Sequence, residues 1–187
     1  KNLTVSGTVI GGANRTGGVI GHAYNVVDNL DNLDFNGTVS GAESVGGCVG
    51  SWEKASGTQS LTNCTATGTV TATNANAGGI VGWTNRHVKT CSVTSITVTG
   101  KTTTDANAGG IVGQMADTGE ISSCSAEDVT ITGYNRVGTI CGWFKGTTIK
   151  TWTVIDCSVT ASYESGFICG AIDKISAIID GTDCNHS

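Results

Sequence analysis

The sequence contains no proline, a single methionine and few aromatic residues, which make up 5% of the chain. Charged residues are also scarce, at 13%, and the ten lysines and arginines are scattered, so no basic patch favours nucleic acid or an anionic membrane as a partner. No apolar run approaches the roughly 18 residues of a membrane-spanning helix, and no signal peptide opens the chain. These absences leave an acidic chain, of net charge -5, whose abundant threonine, serine and valine favour β-strands over helices.

Glycine is what the sequence has in quantity, with 28 residues, and much of it lies in one recurring motif. In its complete form the motif reads Gly-Gly-aliphatic-aliphatic-Gly. Its six copies, two of them with Thr or Phe at the second position, are 17–21, 46–50, 78–82, 109–113, 138–142 and 166–170. Intervals of 28 to 32 residues between copies are typical of solenoid repeats, and we interpret residues 1–187 as a single domain.

An alternating strand pattern precedes each glycine motif. Apolar side chains at Leu3, Val5 and Val9 follow the two-residue period of a strand, and the pattern recurs downstream. In the copies that begin at Cys91 and Cys124 the alternation slips by one residue, which predicts a β-bulge; the last copy is shortened and its register is ambiguous. Stacked strands would form two inward columns: Leu3, Leu33, Cys64, Cys91, Cys124, Cys157 and Cys184 in the first, and Val9, Val39, Val70, Val98, Ile131 and Val159 in the second.

The repeat predicts the fold class. Each copy holds one alternating strand, a polar turn, a strand made by the glycine motif and a variable return segment. About 30 residues with two or three short strands cannot bury an apolar face alone, but stacked copies can. We therefore predict an all-β fold, a right-handed parallel β-helix (β-solenoid) of about six coils, roughly 29 Å long at about 4.8 Å per coil.

Residues 63–70 (Asn-Cys-Thr-Ala-Thr-Gly-Thr-Val), followed by 78–82 (Gly-Gly-Ile-Val-Gly), resemble the GLUG repeat. GLUG repeats occur in large bacterial surface and secreted proteins, including adhesin-like proteins and immunoglobulin A1-specific metallopeptidases. The resemblance implies a secreted or cell-surface β-helical module, and the repeat itself carries no known catalytic residues. The zinc motif of the metallopeptidases, His-Glu-x-x-His, includes none of His22, His87 and His186, so the resemblance implies no peptidase activity.

Eight cysteines in a secreted chain ordinarily suggest a disulfide framework. Here five of them share a predicted column with Leu3 and Leu33, while Cys48, Cys141 and Cys169 occupy positions that aliphatic residues fill in other repeats. The alignment therefore favours free, buried thiols that act as small hydrophobic residues. The chain has no Cys-x-x-Cys pair and no convergent histidine, so we predict neither a metal nor another cofactor.

Residues 32–37, with Glu43 at the twelfth position, nearly fit a calcium-binding EF-hand loop. We favour a strand there instead, because Leu33, Phe35 and Gly37 fall in strand positions of the repeat. A loose calcium site built from Asp28, Asp31 and Asp34 is the alternative.

Two further sets of residues are candidates for facing a ligand. Outward Thr-x-Thr rows resemble the ice-binding face of antifreeze β-helices, although threonine is also a common outer residue of strands; they comprise Thr69, Thr71, Thr97, Thr99, Thr130 and Thr132. Trp83 and Trp143 follow the last motif glycine in coils two steps apart, and would either stack on alternate sugar rings of a glycan or shield the core together with Trp52.

No set of residues predicts catalysis. The acidic residues lie in different parts of their repeats, so no carboxylate pair forms, and no serine or cysteine has a nearby base; we predict no catalytic residues and no enzyme. Asn-x-Ser/Thr acceptors for glycosylation are Asn2, Asn14, Asn36, Asn63 and Asn185.

The chain starts and stops at nearly the same point of the repeat, without an amphipathic capping helix at either end. We expect a processed product or a portion of a longer surface protein, which acts as a stalk, spacer or adhesive module and binds flanking repeats or host and matrix glycans or proteins. The alternative is a subunit that stacks on itself, head to tail, into a filament.

Overall fold

A computed structural model describes residues 2–54, 57–173 and 178–180 of the chain. These residues form 23 strands and no helix, wound into six coils of about 30 residues. The strands are β1 (Leu3–Ile10), β2 (Arg15–Gly17), β3 (Ile20–Tyr24), β4 (Leu30–Asp31), β5 (Leu33–Gly41), β6 (Ser44–Gly46), β7 (Val49–Glu53), β8 (Ser60–Thr62), β9 (Thr65–Ala72), β10 (Asn76–Gly78), β11 (Val81–Thr84), β12 (His87–Lys89), β13 (Ser92–Thr99), β14 (Ala108–Gly109), β15 (Val112–Met115), β16 (Glu120–Gly133), β17 (Val137–Gly138), β18 (Cys141–Phe144), β19 (Thr148–Ile155), β20 (Ser158–Ala161), β21 (Ser165–Gly166), β22 (Cys169–Ile172) and β23 (Ile178–Asp180). The predicted β-solenoid is confirmed, whereas its right-handed winding stays a prediction.

Three parallel sheets run along the solenoid, one strand of each coil pairing with the equivalent strand of the next. The first sheet contains the long strands β1, β5, β9, β13, β16, β19 and β20, together with the short strands β4, β8, β12 and β23. The second sheet consists of β2, β6, β10, β14, β17 and β21, and the third of β3, β7, β11, β15, β18 and β22. Since the described strands pair only with the equivalent strands of neighbouring coils, residue types recur in columns along the axis.

The second predicted column is confirmed in full. Val9 lies beside Val39, and the series continues through Val70, Val98 and Ile131 to Val159. The four middle members are wholly buried, since β-branched side chains suit the interior face of a strand.

The first predicted column is wrong at Cys157. Cys124 lies beside Trp152, and Thr130 beside Ser158, so Cys157 takes the position next to Val129. The last copy is therefore not shortened: Trp152, within β19, takes the position that cysteine occupies in the preceding coil. Cys184 lies outside the described residues.

The predicted slip in the alternation is confirmed as a bulge. Between Val93 and Ile96 the pairing of β13 with β9 shifts by one residue, so Ile96 lies beside Gly68. The extra residue, Ser95, has a positive φ of 48°. It turns Ile96 into the core, where the side chain is 2% exposed, so the bulged coils gain an inward aliphatic residue where earlier coils have glycine.

The glycine motif does not form one strand, which corrects the sequence prediction. Its first glycine ends a strand of the second sheet and its last two residues lie in the third sheet, as in β6 and β7, so Gly47 and Cys48 form the corner between the sheets. A Cβ on Gly47 would collide with the carbonyl oxygen of Gly79 in the next coil. In the first four coils the close approach of successive coils at this corner therefore favours glycine, whereas the fifth and sixth coils carry Thr139 and Phe167 at the same position. The strand pattern did not reveal this steric demand.

Among the described residues, the core is closed in the middle coils and less covered in the first and sixth coils. Leu33 is 7% exposed, but its column neighbour Leu3 in the first coil is 48% exposed; Phe144 is wholly buried, but its neighbour Ile172 in the sixth coil is 44% exposed. Within the described ranges, no helix is long and apolar enough to span a membrane.

Candidate functional site: the groove between the second and third sheets

Two outward columns face each other along the molecule. We call the space between them the groove. The column on the second sheet contains Arg15, Ser44, Asn76, Asn107, Arg136 and Glu164. The column on the third sheet contains His22, Ser51, Trp83, Gln114, Trp143 and Ala171.

The last glycine of each motif forms the floor of the groove. A Cβ on Gly82 would lie 2.5 Å from the backbone nitrogen of Val45 in the second sheet, and one on Gly113 would lie 2.8 Å from the carbonyl oxygen of Ala77. The backbones of the two sheets therefore touch beneath the groove, which places the residues on either side within reach of each other.

A charged cluster lies at the end of the groove that the first two coils form. The Glu53 carboxylate accepts hydrogen bonds from the Arg15 guanidinium at 3.2 Å and from His22 Nε2 at 2.7 Å. Next to this cluster is a cavity of about 210 Å³. It is lined by Arg15, Glu43, Ser44, Ser51, Glu53 and Trp83.

The middle of the groove contains two stacked amides that the sequence analysis did not single out. Asn107 Nδ2 donates to Asn76 Oδ1 at 2.6 Å, and both residues are more than 90% buried. Arg136 then donates to Asn107 Oδ1 at 3.5 Å. Their common position, two residues before the first motif glycine, is also that of Arg15 and could have been read from the aligned repeats.

The other end of the groove encloses Trp143. The Arg136 guanidinium lies 4.1 Å from the centre of its ring and the Lys145 ammonium 3.7 Å from it, while the indole N–H donates to Asp173 at 2.8 Å. Arg136 is itself held by Asp105 at 2.7 Å and by Glu164 at 3.3 Å. Trp143 is thus engaged by charged groups of the protein.

The structure places the third-sheet tryptophans differently from one another. Trp83 and Trp143 share one outward column, with Gln114 between them, and both are half-buried. Trp52 lies on the opposite side of its strand, in the core, and is wholly buried. Of the two roles considered for these residues, shielding of the core is the one that Trp52 takes.

The threonine rows lie on the outer face of the first sheet. One column runs through Thr69, Thr97 and Thr130, and the other through Thr71, Thr99 and Thr132. Thr8, Thr38 and Ser158 extend the first column, and Ile10, Ser40 and Thr160 the second. Thr97 and Thr130 are exposed, whereas the three predicted members of the second column are only partly exposed.

The region of the EF-hand-like pattern belongs to the first sheet. Leu33 and Phe35 are buried in β5, and Asn32 forms a bend with a positive φ of 56°. The Asp31 carboxylate accepts hydrogen bonds from Thr62 and Asn63 of the next coil. Among the residues that the structure describes, no group of three or more His, Cys, Asp or Glu side chains is placed to hold a metal ion.

All seven described cysteines are free thiols. Burial raises the pKa of Cys48 and of Cys141 well above its ordinary value, and a hydrogen bond with Cys124 does the same to the pKa of Cys91. Cys48, Cys91 and Cys141 are therefore poor nucleophiles. Of the glycosylation acceptors, Asn2, Asn14, Asn36 and Asn63 are exposed, and Asn185 lies outside the described residues.

Comparison of the chain with protein-family models, with curated proteins and with solved structures found no match.

Proposed function

We propose that the chain is a non-enzymatic structural module, a rigid rod that acts as a stalk, spacer or adhesive segment of a secreted or cell-surface protein. The observation that carries the proposal is the continuity of the solenoid: all three sheets pair every coil with the next, from the first coil to the sixth. A body in which each coil contacts only its neighbours grows in length with the number of repeats, which is the property that a spacer needs. The resemblance to GLUG repeats supports the extracellular location.

The absence of an assembled catalytic group in the described part of the chain is consistent with this role. His22 hydrogen-bonds to Glu53, and neither His22 nor His87 hydrogen-bonds to a described serine or cysteine. The most prominent polar groups of the groove are engaged with one another, as Arg15 is with Glu53 and Arg136 with Asp105.

A tandem chain tests the rod. Ile179 of β23 lies beside Ile149, in the column that runs back through Ile121, Val88 and Leu61 to Leu30. Leu33, the equivalent of Leu3, lies three residues after Leu30. Residues 1–181 followed directly by residues 3–187 should therefore continue the solenoid in register. We expect small-angle X-ray scattering to give an unchanged cross-section and a particle longer by roughly 29 Å, six coils at about 4.8 Å each. A second body joined at an angle, or a wider cross-section, would contradict the proposal.

Self-assembly into a filament is the second candidate, and the exposure of inward-column residues in the first and sixth coils favours it. Leu3 and Ile172 belong to inward columns, yet each is exposed at its end of the solenoid. A flanking repeat or a second copy would cover them. Light scattering over a concentration series separates the two functions: growth into long particles supports the filament, and a stable monomer of 18.9 kDa eliminates it.

A further inference from the structure

Three buried cysteines stack on one another on the inner face of the first sheet. The Ser92 N–H donates to the Cys64 carbonyl at 2.9 Å, and the Ser125 N–H donates to the Cys91 carbonyl at 3.0 Å. Cys64, Cys91 and Cys124 therefore occupy one position of the third, fourth and fifth coils, and none of them is more than 2% exposed. We call this column the thiol ladder.

The sulfurs of the thiol ladder contact one another along the axis. Cys91 hydrogen-bonds with Cys64 on one side and with Cys124 on the other. Backbone carbonyls lie close by as well, since Sγ of Cys64 is 3.2 Å from Thr62 O and Sγ of Cys91 is 3.3 Å from Lys89 O. The ladder thus contains two gaps, each with a sulfur on either side and a carbonyl that can accept a thiol proton.

The distance between coils suits a bridging ion better than a disulfide. Equivalent atoms of paired strands lie about 4.8 Å apart, whereas a disulfide requires Cβ atoms about 3.8 Å apart. All seven described cysteines are free. An ion with metal–sulfur bonds of about 2.3 Å, the length of a zinc–thiolate bond, holds two sulfurs about 4.6 Å apart when it lies in line between them. This separation is close to the rise of one coil.

The column also limits which ion fits. In the described part of the chain, no group of three or more His, Cys, Asp or Glu side chains is placed around one ion, so an ion in the ladder receives two sulfurs. Structural zinc takes four ligands, and calcium and magnesium require oxygen. Thiolate sulfur selects soft ions such as Cu(I), which accepts two ligands in line.

We propose that the thiol ladder binds one Cu(I) ion between two successive coils, with Cys91 as one ligand and Cys64 or Cys124 as the other. On binding, one S–H bond breaks, its proton leaves to solvent, and two Cu–S bonds form without a change of oxidation state. One thiolate and one thiol around Cu(I) carry no net charge, as an apolar core requires. The prediction of no metal rested on the lack of a Cys-x-x-Cys pair, whereas these ligands come from different coils. The proposal goes beyond the rod and does not depend on it.

The copper content of the refolded chain tests the thiol ladder. Because the three thiols are buried, the 187-residue chain is unfolded in urea and refolded with Cu(I) that ascorbate keeps reduced, and bicinchoninate then removes loosely held copper. Cys141→Val is introduced first, because Cys141 and Cys169 stack in the same way in the third sheet. We expect this background chain to retain about one Cu(I), since three sulfurs complete one pair. X-ray absorption spectroscopy should show two sulfur ligands.

Substitutions in the background chain identify the ligands. Cys91→Val should abolish copper binding, because neither gap then keeps two sulfurs. Cys64→Val and Cys124→Val, made singly, each leave one complete pair and should retain the ion, but the double variant should bind none. Cys157→Val is the matched control and should retain the ion, because Cys157 lies beside Val129 rather than beside a ladder cysteine.

An aliphatic replacement suits the column, since Leu33 occupies the equivalent position of the second coil. Circular dichroism without copper checks that each variant folds, and the double variant keeps the test independent of Cys91→Val alone. The proposal is overturned if the background chain retains no copper, if Cys91→Val or the double variant retains it, or if Cys157→Val loses it. Nitrogen or oxygen ligands in the X-ray absorption spectrum would also overturn it.

Discussion

Replacement of Gly79 by alanine tests the steric role of the glycine motif. A Cβ at Gly79 would overlap the carbonyl oxygen of Gly110 in the next coil and lie 2.9 Å from a methyl group of Val93. The carbonyl is backbone and cannot rotate away, so coils three and four must separate at this corner. The hydrogen bond from Gly79 N–H to Gly109 O is 3.2 Å long, at the limit for such bonds, and would break first.

The size of the effect follows from these contacts. Separation of the coils would break the bond from Gly79 and that from Ile80 to Ile111, at about 1 kcal/mol each. Overpacking against Val93 adds about 1–3 kcal/mol, and the restricted unfolded chain returns about 0.4–1 kcal/mol. We expect Gly79→Ala to lower the free energy of unfolding by about 3 kcal/mol, out of about 5–15 kcal/mol for a typical domain.

Urea unfolding followed by circular dichroism measures this loss. The midpoint should fall by about 1–2 M for a urea dependence of about 2 kcal/mol per M. Gly12→Ala is the control, because a Cβ at Gly12 meets no atom within 4 Å; its midpoint should stay the same or rise slightly. Equal midpoints for the two variants would refute the steric explanation of the motif.

Three further substitutions test individual buried groups. The Thr139 hydroxyl is buried without a hydrogen-bond partner. Thr139→Val should therefore raise the free energy of unfolding by about 1 kcal/mol in the same urea assay. A lower free energy of unfolding would show that the hydroxyl is not unsatisfied. The buried Arg86 guanidinium donates to the carbonyls of Lys54 and Gly57. Arg86→Met should lower the free energy of unfolding by about 2 kcal/mol and speed trypsin cleavage after Lys54. Unchanged cleavage would show that these hydrogen bonds do not protect Lys54. Burial, and then the charge of Lys89, lower the pKa of His87. As the pH falls below about 6.5, the unfolded chain therefore takes up a proton before the folded chain does. The free energy of unfolding declines as the pH falls from there to the lower pKa of the folded state. His87→Gln should show a smaller decline between about pH 7.5 and pH 5 than the unaltered chain, and parallel curves would contradict the assignment.

The sequence by itself determined the repeat, the fold class and most of the core. The period of the glycine motif and the two-residue alternation are local patterns, and a parallel solenoid is the arrangement that buries them in stacked copies. For that reason the column from Val9 to Val159 and the bulge before Ile96 could be predicted without knowledge of any contact. The shared column of Trp83 and Trp143 followed from the same alignment.

The tertiary structure alone decided how close the sheets come and what meets across them. Cys157 was misplaced because a repeated residue type suggested a register that the pairing of Trp152 with Cys124 overrules. The corner at Gly47 and the contact of Arg136 with Trp143 depend on distances between different sheets, which the period of the repeat does not specify. Sequence periodicity specifies which residues stack along the axis, but the angle and spacing between sheets, which create the groove and the cavity next to Glu53, arise from packing in three dimensions.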